Sequence, residues 1–185
     1  MKKLDTQEIL SNEEYLKHRD SIRNDTLAIK SRRRIHLGEH LTFLFETTET
    51  MRYQIQEMLR VEGRSAPEDV AHEVATYNEL LGDQGELGCT LLIEIDDPLQ
   101  RDIVLRKWID LPQHLYVKDA QGNKYRATFD ERQVGETRLS SVQYLKFKCG
   151  MVDPVSVGID KPGLELETEL NNEQATALKA DLEAA

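Results

Sequence analysis

The residues best suited to chemistry lie close together. Lys30, Arg32, Arg33, Arg34 and His36 fall within one short stretch, and His40 follows four positions after His36. Arginines grouped this way suit an anion site, because each guanidinium can donate two parallel hydrogen bonds to a phosphate or carboxylate. Histidines at i and i+4 share a face on a helix, which is the spacing zinc motifs use. Here Gly38 separates the two rings and LTFLF (41–45) follows, a composition that favours a strand. Gly38–Glu39 suits a two-residue type II′ hairpin, in which Leu37 faces His40 and His36 faces Leu41. The two rings then point to opposite sides of the ribbon, so no shared metal is expected. Arg32, Arg34 and His36 share one face if the strand begins early. The competing explanation is that the arginines pair with the chain's own surplus of acids.

A second set of chemical groups follows on TTETMRYQIQEMLRVEG (47–63), which reads as a helix. Met51, Ile55, Met58 and Leu59 share a face at helical spacing, and Gln54 and Glu62 fall inside the same arc. A buried amide such as Gln54 must find a partner or cost about 1–3 kcal/mol. Glu57 lies just outside the arc, over Tyr53 at i,i+4. A Glu–Tyr pair beside Arg34 or a histidine could move a proton; an ordinary surface helix shows the same pair. There is no G-x-S-x-G, no P-loop and no G-x-G-x-x-G. No catalytic residue is assigned and no cofactor is expected.

These groups must be positioned by the surrounding elements. Residues 1–30 read as a helical arm. Ser11 and Glu14 fit a capping box, and Tyr15, Ile22 and Ile29 form one thin apolar stripe. Such a stripe suits packing on a partner surface, another subunit included. After the hairpin and the 47–63 helix, Ser65 and Glu68 give a second capping signature, with Val70, Val74, Tyr77 and Leu81 on the buried face. CTLLIEI (89–95) reads as a central strand. Asp97–Pro98 starts a short helix whose Val104, Trp108 and Leu111 face the core. From Leu115 the pattern turns to period two, with turns at DAQGN (119–123) and Lys161–Pro162–Gly163. The glutamates of GLELETEL give its strand one wet face. A last helix spans about Asn172 to Ala184. Helices and a hairpin come first, then mostly antiparallel strands and a C-terminal helix: an α+β plan in a single domain, 1–185.

Composition excludes several functions. The chain has 185 residues, 39% hydrophobic and 31% charged, with a net charge of −10. That charge disfavours nucleic acid and anionic membrane surfaces. The N-terminus has no apolar signal region, and no apolar run is long enough to span a bilayer, so a cytoplasmic location is expected. Cys89 and Cys149 offer no CxxC framework for zinc or iron–sulfur clusters. They are expected to be buried free thiols, with a disulfide open to them if their strands are neighbours.

The run KSRRRIHLGEHLTFLFETTETMRYQIQEMLRVE, with YNELL later, resembles the bacterial family known as domain of unknown function 3501. RRRIHLG, LTFLFE and YQIQEMLR carry the likeness, and the order of elements extends it over nearly the whole chain. The resemblance supplies no activity, cofactor or catalytic residue. It implies a setting near rubrerythrin-like and iron–sulfur redox proteins. It also concentrates attention on the place where Arg32, Arg34, His36, Tyr53, Gln54 and Glu57 could converge as a small polar pocket. The expectation is a non-catalytic module with a protein partner, self-associating through its arm as a homodimer. The rival is an anion-binding enzyme or sensor built on the Arg/His/Glu cluster.

Overall fold

The computed structural model describes residues 1–130 and 134–184. Eight strands form one antiparallel sheet in the order β1-β2-β3-β6-β5-β4-β7-β8. They are β1 (Arg34–Leu37), β2 (Leu41–Phe45), β3 (Glu86–Ile93), β4 (Leu115–Asp119), β5 (Lys124–Phe129), β6 (Val142–Lys148), β7 (Pro154–Lys161) and β8 (Leu164–Glu169). The five helices are α1 (Asn12–Ser31), α2 (Thr48–Glu62), α3 (Pro67–Asn78), α4 (Pro98–Lys107) and α5 (Asn172–Glu183). The architecture is the α+β plan read from the sequence.

The sheet curls until its two edges meet. Thr168 on β8 donates its hydroxyl to the carbonyl of His36 at 2.9 Å, and Gln174 at the start of α5 donates to the carbonyl of Arg34 at 3.0 Å. Alternation decides what fills the curl. Ile35, Leu37, Phe43, Phe45, Leu87, Leu91 and Phe147 all point inward and are fully buried. The rings of Phe43, Phe45 and Phe147 lie 6.1–6.3 Å from one another, a packed aromatic centre. The glutamates of β8 alternate outward, as their spacing requires.

The hairpin differs from the expected one. Its register pairs Leu37 with Leu41, Ile35 with Phe43 and His36 with Thr42, so Gly38, Glu39 and His40 form a three-residue loop. Cross-strand partners share a face. The expected two-residue loop would have set His36 opposite Leu41, mixing polar with apolar on both faces. The observed register puts Ile35, Leu37, Leu41 and Phe43 together inside, and burial selects it.

Helix starts follow their caps with one exception. Ser11, Thr47, Asp97 and Asn171 each accept a backbone N–H at the start of α1, α2, α4 and α5. At α1 only half of the expected box forms, because Glu14 turns outward to Lys17 and His18. The expected Ser65 cap is not used: α3 starts on Ala66 with Pro67 in its first turn and no side-chain cap. α2 and α3 form a second small core with Leu4, built from Met51, Ile55, Leu59, Val74 and Leu81.

The cysteines are free and buried, Cys89 on β3 and Cys149 just beyond β6. Their strands are neighbours, but Cys89 sits opposite Leu145. Cys149 is therefore four residues further along the ladder, roughly 13 Å at ~3.3 Å per residue. A disulfide needs Cα atoms within about 7 Å. Burial pushes the Cys149 thiol up to about 12 and raises that of Cys89 as well.

Candidate functional site

Side-chain chemistry concentrates where α1 crosses α2. α2 has two working faces. Met51, Ile55 and Leu59 make the apolar one. Gln56, Tyr53, Glu57 and Arg60 make the other, and α1 covers it. Glu57 is its hub. The Tyr15 hydroxyl donates to its carboxylate at 2.6 Å, Arg19 donates twice at 2.7 and 3.1 Å, and Arg60 donates at 2.8 Å. Two guanidiniums and a phenol hold the Glu57 carboxyl at about 2, well below its ordinary value, with the Arg19 hydrogen bond as the largest cause. Burial, then the bond to Glu57, pushes the Tyr15 hydroxyl above its ordinary range. Tyr15 is fully buried and Glu57 holds three donors, so this pair joins the two helices.

Beside this hub, α1 and α2 leave an open groove of about 400 Å³. Leu10, Ile22, Ile29 and Tyr53 supply its apolar lining, and Glu8, Asp25, Glu49 and Arg52 its charged rim. The two buried polar side chains at its base are satisfied from within. Gln56, 2% exposed, accepts from the Leu10 N–H at 2.7 Å and donates to the Leu10 carbonyl at 3.1 Å. Thr26 donates back to the Ile22 carbonyl at 2.8 Å. Tyr53 carries the Lys30 ammonium 5.7 Å above its ring.

The six residues singled out from the sequence occupy separate surroundings. Glu57 and Tyr53 lie on the covered face of α2, and the tyrosine bonded to Glu57 is Tyr15 of α1. Gln54 is half-buried on another side of α2, beside Tyr77 of α3. Arg32 caps the end of α1 and lines a second groove with Arg33 and the start of α5. Arg34 and His36 alternate outward on β1. His36 meets the Thr42 hydroxyl at 2.8 Å, and Thr42 donates to Glu94 at 2.5 Å. In that chain the His36 Nδ1–H is the donor to Thr42. His40, in the loop, contacts the Glu94 carbonyl at 3.2 Å. No group of three or more His, Cys, Asp or Glu is spaced to hold a metal among the described residues.

Three residues that matter here were not singled out. Gln56, rather than Gln54, is the buried amide. Arg33, between the two chosen arginines, makes a bidentate pair with Asp181 of α5, both contacts 2.8 Å. Glu46 is buried and accepts from two hydroxyls, Thr50 at 2.6 Å and Thr90 at 2.7 Å, which tie the start of α2 to β3. Period alone could not mark them, although Glu46 closing an otherwise apolar strand was a visible signal.

The family model described as protein of unknown function DUF3501 matches residues 3–182. The chain belongs to this family. No curated protein matches it. A crystal structure of a novel protein of unknown function from Burkholderia pseudomallei K96243 is similar over 98% of this chain and 100% of that one, with 27% identity and a TM-score of 0.90. The DUF3501 fold described above is thus shared with an experimentally determined relative. No helix among the described residues is long and apolar enough to cross a membrane.

Proposed function

We propose that this DUF3501 protein is a non-catalytic accessory module that binds a partner protein through the α1–α2 side of the molecule. The observation that carries the reading is the groove beside the Glu57 hub. Its lining is apolar, its buried polar groups are already bonded to its own chain, and the nearby tyrosine and glutamate are occupied with each other. Such a surface offers contact area for a partner. The stripe on α1 fits this reading in part: Tyr15 is spent inside the chain, while Ile22 and Ile29 remain available in the groove. The reading places the protein in the cytoplasm with a partner from a redox or iron–sulfur setting, the setting the family resemblance implies. Homodimerisation through the arm is the competing mode.

The test is to isolate the protein at native abundance from its own cells by native mass spectrometry. A second polypeptide in fixed stoichiometry is expected, and Ile22→Asp should remove it while the circular dichroism stays unchanged. A monomer with no partner, indifferent to that substitution, refutes the proposal.

A second reading rests on Arg32 and Arg34, both exposed and without an ion pair among the described residues. Arg32 opens on the groove of about 450 Å³ at the start of α5. An anion held there would raise thermal stability, by about 2.7 kcal/mol at a hundredfold excess over Kd. A phosphate and carboxylate screen without a shift eliminates it.

A further inference from the structure

We propose that the α1–α2 groove receives a basic, amphipathic segment of the partner protein, with apolar side chains on its floor and Lys or Arg side chains on its rim. This rests on the partner-binding reading above and adds the chemistry of the partner. The floor is Leu10, Ile22, Ile29 and Tyr53, which line about 400 Å³, room for a few side chains rather than a folded domain. An amphipathic helix fills such a groove with residues at i, i+3 or i+4, and i+7.

Charge selects the sign of that segment. Three of the four charged residues on the rim are acids, Glu8, Asp25 and Glu49. Of the bases nearby, Arg52 is turned to Glu8 at 3.2 Å and Lys30 lies over the Tyr53 ring, and neither pairs with Asp25 or Glu49 among the described residues. Asp25 and Glu49 are exposed and make no hydrogen bond or ion pair among the described residues. Two carboxylates therefore stand uncompensated beside an apolar floor on a chain of net charge −10. A second copy would bring the same acids to the same rim, and like charges facing each other oppose association. An anionic lipid surface or a nucleic acid meets the same repulsion. A cationic segment gains from both the floor and the rim.

The full-length protein is titrated with a labelled Leu/Lys amphipathic helical peptide, followed by fluorescence anisotropy. A Leu/Glu peptide of the same pattern is the control. The Leu/Lys peptide should bind and the Leu/Glu peptide should not. Asp25→Lys with Glu49→Lys should weaken binding tenfold or more, while Glu173→Lys, outside the groove, should leave it unchanged. Ile29→Asp should also weaken binding, although it adds negative charge, because it breaks the floor. Equal binding of both peptides, or equal loss from Glu173→Lys, overturns the proposal in favour of attraction to overall charge. A dimer in sedimentation that the floor substitution Ile29→Asp abolishes overturns it in favour of a second copy. If the peptide arms fail but Ile22→Asp still releases a co-isolated partner, the basic-segment inference falls and the partner-binding reading stands.

Discussion

Acidification should unfasten α1 from α2 through one carboxylate. Glu57 is held at about 2 against an ordinary 4.5. At 1.36 kcal/mol per pH unit, that gap corresponds to roughly 3 kcal/mol. Solvent reaches the cluster, with Arg19 and Arg60 side chains each about 30% exposed, so about 1–2 kcal/mol is the expected size. The sign follows from linkage: a carboxyl depressed in the folded state stabilises fully above its unfolded value and loses that contribution as pH falls through the folded one. The window is therefore about pH 5 to 2, and more than half of the effect is gone by pH 3. Other carboxylates titrate in the same window, so the useful quantity is the difference between wild type and Glu57→Gln. Urea unfolding at pH 7 should show the variant less stable by about 1–2 kcal/mol, and at pH 3 the gap should shrink to less than half. A gap of equal size at both pH values would show that the Glu57 charge does not hold the helices together, and the account of the hub would fail.

Other perturbations have definite expectations. Gln56→Leu strips both backbone partners from Leu10 and should cost about 1–3 kcal/mol in denaturant unfolding, with faster exchange of the Leu10 amide. Asp181→Ala leaves Arg33 buried without its carboxylate and should cost about 3–5 kcal/mol; Arg33→Met with Asp181→Leu should recover much of that loss. Mild oxidation should leave Cys89 and Cys149 unbridged by intact mass, and alkylation of either should await unfolding, since both are buried with raised thiol values.

Much of the fold was legible because it depends on local rules. Asp97–Pro98, the alternation of β8 and the Thr47 to Gly63 frame of α2 each follow from residues near one another in sequence. The hairpin register was misread because loop chemistry alone was weighed, whereas burial of Leu41, Phe43 and Phe45 against Ile35 and Leu37 decides it. The hub was half legible. Glu57 and Tyr53 stood out, but Tyr15 and Arg19 lie 42 and 38 residues away. A polar helix face reads as wet until another helix covers it, and for that reason nothing in the sequence marked Gln56 as buried. Arg33 was hidden for a similar reason: its partner, Asp181, is 148 residues further on.

The seam between β1 and β8 is expected to close late when this molecule folds. Its two clasps, Thr168 to His36 and Gln174 to Arg34, join residues 132 and 140 positions apart, and both are side-chain donors rather than a backbone ladder. Closing so long a loop is entropically costly and is repaid only once the intervening strands are in place. The ring is thus a clasped bracelet, and hydrogen exchange is expected to show its seam closing late in folding and opening early under denaturant. Because the clasps cover the outward carbonyls of β1, an edge that would otherwise template aggregation is blunted for as long as the bracelet stays shut.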